Sequence, residues 1–408
     1  MTKQRIISSS LSPNTEAQDV REAIHVILKP STWQQGSAID EVEQWFTTYL
    51  HASAAVSFDS GRSALLALLQ AFAIGDGDEV LLQAFTCVAV SNSIRWTGAT
   101  PVYVDINDSF NIDPKDLEKK ITKHTKAIII QHTFGVSGEM DAILILAKKY
   151  GLVVIEDCAH SLGATYKGKR IGSLGDAAFF SFGRDKVISS VWGGMATVSE
   201  KYKVPSEKLR KYQRQLSMPS LHWIFRQLLH PIAFAVILPT YNMVLGKVML
   251  ETLKRLGLLS VPVYEEEKRG EKPSLLSRRY PNALARLLVS QLFKFERYND
   301  QRRRIALYYC KALKSRKDIT IPKLDKESVY LRFPILVADQ VGVMRKAKRH
   351  GILLGDWYHH VVDPKGVDLD AAGYQPGSCP RAEEAAARIV NLPTLVTQDE
   401  AECVVRVL

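Results

Sequence analysis

Residues 151–186 read GLVVIEDCAHSLGATYKGKRIGSLGDAAFFSFGRDK. This stretch contains two short apolar runs, residues 153–156 and 177–182, that are bounded by turn residues. Asp157 follows the first run directly, and Lys186 follows the second after a short loop. Continuous apolar runs of this length are typical of strands that are buried on both faces, as in a parallel sheet covered by helices.

The same pattern extends outward from this stretch in both directions. Between residues 53 and 200, short apolar runs alternate with helical patterns such as residues 63–72 and 141–150. The further strand-like runs are residues 79–82, 101–104, 127–131 and 195–198. Strands that alternate with helices predict an α/β fold with a mainly parallel sheet.

The chain divides into three predicted parts. Residues 1–207 form a large α/β domain, residues 208–280 a basic and apolar insertion with a linker, and residues 281–408 a small C-terminal domain. The last part begins with a long helical pattern at 281–313 and contains a strand-like run at 330–337. This mixture is typical of an α+β domain.

The composition narrows the classes of function. The sequence has 54 Lys and Arg against 43 Asp and Glu residues, a net charge of +11, which suits phosphate-bearing substrates or an anionic membrane surface. The cations are dispersed, so nucleic acid is not an expected partner. The five cysteines are far apart and form no CxxC pair, so we expect neither a disulfide framework nor a metal site.

The expected location is the cytoplasm. Widely spaced cysteines without a disulfide pattern fit a reducing compartment. The first residues, MTKQRIISSSLSPNTEAQ, lack the apolar segment of a signal peptide. We also expect no segment with the roughly 18 apolar residues that cross a bilayer.

Asp157 and Lys186 are the first candidates for chemistry. Ligands bind at the carboxyl ends of parallel strands, where Asp157 lies. A carboxylate there suits the ring nitrogen of pyridoxal phosphate (PLP), whose protonated ring is an electron sink. A lysine among apolar neighbours is desolvated and attacks an aldehyde readily. The plainer alternatives are a carboxylate that caps a helix and a solvated surface lysine.

A phosphate cradle is the third feature. Ser60, Gly61, Arg62 and Ser63 open a predicted helix, where free backbone amides favour a phosphate. Ser181 adds a hydroxyl from a neighbouring strand. Glycine and serine are common at helix starts, so the cradle is a weak signal by itself, but the three features together predict a PLP site.

Three stretches of the chain resemble the DegT/DnrJ/EryC1/StrS family of sugar aminotransferases. They are GDEVLLQAFTCVAVSNSIRWTGATPVYVDI (residues 77–106), residues 151–186, and PNALARLLVSQLFKFERYNDQRRR (residues 281–304). The resemblance extends from about residue 36 to residue 408, apart from an apolar stretch near 215–270.

The family motif is specific and has three segments. An acidic pair followed by Ala and Gln or His, then Gly-Asp, then Ser-Phe-x-x-x-Lys, is met at residues 156–160, 175–176 and 181–186. The resemblance implies the fold type I architecture of PLP-transferases, with a large domain around a mainly parallel sheet and a smaller C-terminal α+β domain.

The resemblance also implies roles for single residues. Lys186 binds PLP through a Schiff base and moves the proton between substrate and cofactor, Asp157 holds the pyridinium, and His160 lies near the O3′ side of the cofactor. Phe85 matches the aromatic residue that stacks on the ring. Phosphate contacts are implied for Arg62, Ser63 and Ser181. Without the resemblance, Phe85 and His160 fit the pattern of ordinary core residues.

Three departures from the family pattern stand out. Arg62 replaces a threonine, so it either holds the phosphate or points elsewhere. Residues 191–194 read VWGG instead of Gly-Glu-Gly-Gly. Residues 277–279 replace the Asn-Tyr-Arg segment that reaches the partner subunit's phosphate, and only Arg279 keeps its type. Lys186 argues against the branch of the family that carries histidine there and performs dehydration.

The insertion is more apolar than the corresponding family segment. Residues 221–263 contain the run IAFAVIL, and four cations precede them within 208–214. One hypothesis is an amphipathic element over 215–263 that lies on the inner face of a membrane. The alternative is packing on the core or across a dimer interface.

The resulting prediction is a PLP-dependent aminotransferase. It moves an amino group from a donor, expected to be glutamate, to a keto sugar carried on a nucleotide, for cell-surface polysaccharide synthesis. The resemblance implies a homodimer, because fold type I enzymes complete each site with residues of the neighbouring subunit. Two alternatives stay open: a non-sugar ketone or aldehyde acceptor, and a PLP-binding or membrane-recruited scaffold without turnover.

Overall fold

The computed structural model describes residues 6–323 and 325–408. The strands in these residues are β1 (Ile7–Ser8), β2 (Ala52–Phe58), β3 (Glu79–Gln83), β4 (Thr100–Val104), β5 (Thr125–Gln131), β6 (Val153–Asp157), β7 (Thr165–Tyr166), β8 (Lys169–Arg170), β9 (Ala177–Ser181), β10 (Gly194–Ser199), β11 (Ile319–Thr320), β12 (Arg332–Val337), β13 (Ile352–Leu353) and β14 (Ile389–Pro393).

The α-helices of the same residues are α1 (Ala17–Ile27), α2 (Ala38–Leu50), α3 (Gly61–Ala71), α4 (Val88–Arg95), α5 (Pro114–Lys120), α6 (Met140–Tyr150), α7 (Lys203–Gln215), α8 (Leu221–Thr240), α9 (Leu245–Arg255), α10 (Glu265–Lys268), α11 (Asn282–Leu292), α12 (Phe295–Leu313), α13 (Gln340–Arg349), α14 (Leu369–Ala372), α15 (Pro380–Arg388) and α16 (Gln398–Val407).

The central sheet has seven strands in the order β2, β10, β9, β6, β5, β3, β4. β10 runs antiparallel to its neighbours β2 and β9, and the other neighbouring pairs are parallel. The six predicted strand-like runs between residues 79 and 198 all lie on strands of this sheet. The predicted α/β fold with a mainly parallel sheet is confirmed.

Helices cover both faces of this sheet because side chains alternate along each strand. In β5, Ile129 packs into a cluster with α3 and α4 on one face. Ile128 and Ile130 pack against α6 on the opposite face. Burial on both faces explains why the strands read as uninterrupted apolar runs.

A smaller antiparallel sheet lies in the C-terminal part of the chain. β11, β12 and β14 form it in that order, and α12, α13 and α16 pack on it around an apolar cluster that includes Phe333 and Tyr309. β1 pairs in parallel with β13, so the N-terminal segment returns to this part. The predicted smaller α+β unit is confirmed, whereas the bounds 1–207, 208–280 and 281–408 stay predictions.

The long helical pattern predicted over residues 281–313 needs a correction. It forms two helices, α11 and α12, with a break at Phe293 and Lys294. The Lys294 ammonium forms a buried ion pair with Asp19 of α1, at 2.7 Å between Nζ and Oδ1. Burying this charge with its partner fixes the chain where one helix ends and the next begins.

The insertion folds as a helical hairpin of α8 and α9. α8 packs on α1 and α9, and it continues through both Pro231 and Pro239, the prolines on either side of the run IAFAVIL. Residues Leu221–Met243 have a mean hydropathy of 1.4 and the length of a membrane span, and 56% of that window is buried inside the protein. The expectation that no segment reaches that length is therefore wrong, although buried core helices share these properties.

Candidate active site

Asp157 ends strand β6 at the carboxyl edge of the central sheet, beside Gln131 of β5 and Phe179 of β9. Its side chain is 4% exposed, and Oδ1 accepts a hydrogen bond of 3.0 Å from the backbone amide of Ala159. Burial raises the pKa of this carboxyl to about 6, against the opposing effects of the Ala159 amide and the Lys186 charge. The group is thus short of positive partners.

Glu156 points to the opposite face of the same strand and has a full set of partners. Its two oxygens accept hydrogen bonds from the amides of Gly172, Leu174 and Gly175, at 2.8–2.9 Å. His132 Nε2 lies 3.1 Å from Oε2. Together with Cys158, these side chains form a cluster with the spacing of a metal site, but the carboxylate oxygens already bind protein donors. Glu156 therefore fixes the loop that follows β6.

Lys186 lies in the loop after β9, and its Nζ is 3.1 Å from Nε2 of His160. Its backbone is held from the other side of the loop. The side-chain amide of Asn14 donates to the carbonyls of Lys186 and Val187, at 2.8 and 2.9 Å, and Arg302 donates to the carbonyl of Val187 at 3.1 Å. These bonds position the amine at the sheet edge.

His160 is buried and neutral. Its Nδ1 accepts a hydrogen bond of 3.3 Å from the backbone amide of Phe134, so we assign the ring proton to Nε2, which faces Lys186. Burial lowers the pKa of His160 well below its usual value, and the charges of Lys186 and Arg332 lower it further. The neutral His160 ring therefore places its Nε2–H group beside the Lys186 amine.

Phe134 orients this histidine at a conformational cost. Its φ of 56° and ψ of 14° lie in the left-handed region, which costs a non-glycine residue on the order of 1–3 kcal/mol. The ring is fully buried and stacks on His160, with 6.0 Å between the ring centroids and 4° between the planes. The strained backbone thus places both an amide and a ring against the imidazole.

Phe85 follows β3 at the same sheet edge. It is fully buried and packs edge-on against Tyr358 and Phe134, with centroid distances of 5.3 and 6.2 Å. The side chains of Gln83 and Gln131 donate to its carbonyl. Phe85 is therefore one member of an aromatic wall, and its predicted stacking on a cofactor ring stays a prediction.

The predicted cradle lies at the first turn of α3. Ser60 caps the helix by accepting from the Ser63 amide, and backbone approaches Gly61 closely from two sides. A Cβ on Gly61 would lie 3.0 Å from the Cβ of Ser181, and a Cβ on Gly194 would lie 2.5 Å from the amide nitrogen of Gly61. The backbone is therefore packed too closely here for side chains on Gly61 or Gly194. The first turn of α3, whose amides lack partners within the helix, lies beside the Ser181 hydroxyl.

Arg62 points away from this cradle. It pairs with the buried carboxylate of Glu267 and donates to the carbonyl of Pro262, at 2.6 Å for the latter. Arg279 lies on a neighbouring segment, and its backbone forms an isolated antiparallel β-bridge with Phe58 at the end of β2. The backbone amide of Ser277, in the same segment, donates to the Ser63 hydroxyl. Of the two alternatives for Arg62, the structure favours the one in which it points elsewhere.

The C-terminal part supplies residues that the sequence did not single out. Tyr358 stacks on Phe134 and His160, with centroids 6.3 and 6.1 Å apart. Arg332 is 1% exposed and pairs with Asp185, the residue before the lysine. The sequence does contain one sign of Arg332, because it is the single charged residue in the apolar run at 330–337.

Comparisons with known proteins agree with this geometry. The family model described as the DegT/DnrJ/EryC1/StrS aminotransferase family matches residues 14–230 and 248–408. A UDP-N-acetyl-3-dehydro-alpha-D-glucosamine 3-aminotransferase of Acidithiobacillus ferrooxidans is 30% identical over 88% of this chain and 83% of that protein. The solved structure of DesV from S. venezuelae is 26% identical, covers 96% of this chain and 93% of its own, and has a TM-score of 0.74.

A more similar relative matches over a shorter region. The dTDP-3-amino-3,6-dideoxy-alpha-D-galactopyranose transaminase of Aneurinibacillus thermoaerophilus is 45% identical over 40% of this chain. The matched region spans 46% of that relative, which is less than half of its length.

Proposed function

Because the chain belongs to the DegT/DnrJ/EryC1/StrS aminotransferase family, we propose that it moves an amino group from glutamate to a keto sugar carried on a nucleotide, with PLP as cofactor. The observation that carries the proposal is the pairing of Lys186 Nζ with neutral His160 at 3.1 Å, beside the buried carboxylate of Asp157. The relatives named above are a dTDP-sugar and a UDP-sugar enzyme, which supports a nucleotide sugar over a non-sugar acceptor.

The residues present fit PLP. Burial disfavours the charged form of Asp157, and a cationic ring nitrogen is the partner that this carboxylate lacks. The amides of the first turn of α3 and the neighbouring Ser181 hydroxyl are groups that suit a phosphate. Asp59 lies beside it, and burial raises the pKa of Asp59 to about 7, so its charge is largely suppressed at lower pH.

Each residue then has a chemical task. When bound, PLP supplies an electron-withdrawing ring that stabilises negative charge on the substrate carbon. Asp157, as a carboxylate, would pair with the ring nitrogen and keep it protonated. As the free amine, Lys186 Nζ would take the proton that leaves the substrate and later return it. In that free-amine form its lone pair can accept a hydrogen bond from Nε2–H of His160, which lies 3.1 Å away. The aromatic wall of Phe85, Phe134 and Tyr358 excludes water from the reacting atoms.

Absorption spectroscopy tests the proposal. We expect wild type with added PLP to show the visible band of a lysine-bound cofactor, and glutamate to bleach it. Lys186→Ala loses the band because the amine is gone, whereas Lys169→Ala, which removes an exposed lysine, keeps it. A wild-type protein without the band, or with a band that ignores glutamate and other amino donors, contradicts the proposed activity.

A cytoplasmic homodimer is also part of the proposal. All five cysteines are free thiols in the structure, which fits a reducing compartment, and the family resemblance implies that Arg279 serves the neighbouring subunit. Sedimentation at micromolar concentration measures the oligomeric state, and a monomer contradicts the dimer.

We further propose that the tip of the α8–α9 hairpin touches an anionic membrane surface. The family match stops between residues 230 and 248, where Met243, Val244 and Leu245 are 50–61% exposed. The nearby cations lie on α9 and at the end of α13: Lys247, Lys254, Arg255, Lys346, Lys348 and Arg349. An apolar tip with a basic rim suits anionic head groups.

Vesicle co-sedimentation tests this contact. We expect wild type to bind vesicles with anionic lipid at low salt and to dissociate at high salt, because the cations are screened. The double variant Val244→Glu and Leu245→Glu should lose binding, while Phe293→Glu, at a residue 83% exposed elsewhere, should keep it. Equal behaviour of the two variants, or self-association through the tip without lipid, excludes the membrane contact.

A further inference from the structure

Arg332 is a buried cation with incomplete hydrogen bonding. It lies in β12 between two buried apolar residues and is 1% exposed. Its guanidinium pairs with Asp185 through Nη2 and stacks on the Trp357 ring, 3.6 Å from the centroid. Among the described residues, its Nε and Nη1 have no hydrogen-bond partner. Buried donors are rarely left unpaired, so these two nitrogens call for a ligand.

The position of Arg332 links it to the lysine. Its partner Asp185 directly precedes Lys186, and the charge of Arg332 acts on both His160 and Tyr358. The unpaired donors therefore lie in the wall of the same site, on the side supplied by the C-terminal sheet. The cradle at α3 involves other residues, Ser60, Gly61 and Ser181, so Arg332 is a different candidate for binding an anion.

The local charge balance leaves room for another anion. Arg184, Lys186 and Arg332 all act on Asp185 and hold its pKa below the usual range. One carboxylate thus faces three cations, and it uses one nitrogen of the guanidinium. A second carboxylate would supply acceptors for the donors that Asp185 does not reach.

On the basis of the proposed function, we propose that Arg332 binds a carboxylate of the amino donor. The carboxylate of an amino acid is one bond from the reacting carbon, so its site must lie close to Lys186. Arg332 pairs with Asp185, the residue directly before that lysine. The phosphates of a nucleotide sugar lie beyond the sugar ring and are too far from the reacting carbon for this position. A planar guanidinium flanked by Trp357 and Tyr358 also matches a planar carboxylate better than a phosphate.

Glutarate is a probe that does not require turnover, because it carries two carboxylates and neither an amine nor a ketone. We expect calorimetric titration of PLP-loaded protein to show that Arg332→Gln weakens glutarate binding about tenfold or more. Arg332→Lys, which preserves the ion pair with Asp185 and so protects the fold, should weaken it less. Arg316→Gln removes another arginine that pairs with an aspartate, Asp318, away from the lysine loop, and should change the dissociation constant by less than about threefold.

The kinetics separate the donor from the acceptor. In Arg332→Lys, KM for glutamate should rise while the rate of the half-reaction with the amino-sugar product stays at the wild-type value. Equal glutarate affinity of wild type and Arg332→Gln, or no glutarate binding to wild type, overturns the assignment. A rise of KM for the sugar alone also overturns it. If glutarate binds through Arg332 but no donor bleaches the cofactor band, the proposed function fails while the carboxylate site stands.

Discussion

The two faces of strand β6 carry neighbouring carboxylates in opposite environments. Glu156 accepts three backbone hydrogen bonds and contacts His132, all on its own face. Asp157 accepts one, and burial raises its pKa to about 6. Both are buried, so burial alone does not distinguish a structural acid from a chemical one. The two carboxylates differ in how many of their hydrogen-bonding positions are filled. Glu156, whose positions are filled by protein donors, fixes a loop, whereas Asp157 still has positions free to pair with a cation.

Removing the satisfied carboxylate should give the largest effect. Glu156→Gln places an amide nitrogen against backbone N–H donors and breaks the contact with His132. We expect unfolding free energy to fall by about 3–5 kcal/mol, measured by urea denaturation. Activity per folded molecule should remain within a few-fold of wild type, because Glu156 does not face Lys186. A variant as stable as wild type contradicts the structural role.

Removing the unsatisfied carboxylate should affect chemistry instead of stability. Asp157→Ala loses a single hydrogen bond but also the partner of the ring nitrogen. We expect the rate of the glutamate half-reaction to fall about a thousandfold, or about 4 kcal/mol in activation free energy. Stopped-flow absorbance measures that rate. If Asp157→Ala unfolds as readily as Glu156→Gln, or keeps a tenth of the activity, the contrast between the two faces is wrong.

A pH series on cofactor-free protein sharpens the contrast further. The folded-state pKa of Asp157 is raised from 3.8 to about 6, so ionisation is disfavoured in the folded state. This group therefore destabilises the fold progressively as pH rises from about 4 to about 6. We expect Asp157→Asn to gain about 2–3 kcal/mol of stability over wild type between pH 4 and pH 7. Urea denaturation of wild type and Asp157→Asn at pH 4 and at pH 7 measures this gain. If the difference in unfolding free energy between the two proteins is the same at both pH values, the prediction is wrong.

The sequence predicted the site most clearly where chemistry follows a strand end. Lys186, His160 and Asp157 follow two apolar runs, and the carboxyl ends of parallel strands share one edge, so their proximity could be expected. Phe134 follows β5 in the same way, but its role depends on a left-handed backbone that no residue type there announces. The residues that follow strand ends can thus be predicted from the sequence, whereas a left-handed backbone such as that of Phe134 cannot.

Long-range contacts account for the residues that sequence patterns missed. Tyr358 stacks on His160 and Arg332 pairs with Asp185, both from the C-terminal part of the chain. Asn14 of the N-terminal segment donates to the Lys186 carbonyl. No local periodicity encodes such pairings. The same holds for Arg62, whose direction is set by Glu267, some 200 residues further along the chain. The helical pattern at 281–313 forms two helices for a similar reason, because Lys294 at the break pairs with the distant Asp19.

The anchoring of the lysine loop has a consequence for the timing of biogenesis. Asn14 is synthesised some 280 residues before its partners: its carbonyl accepts from Gln291 and Tyr298, and its amide oxygen accepts from Arg302. The segment before it pairs with β13, near residue 352. The segment around Asn14 therefore needs some three hundred further residues before it can hold the Lys186 loop. A nascent polypeptide that is stalled before residue 302 already contains Lys186 but lacks Arg302, which holds the lysine loop. Competence to bind the cofactor therefore arises more than a hundred residues after the lysine is synthesised.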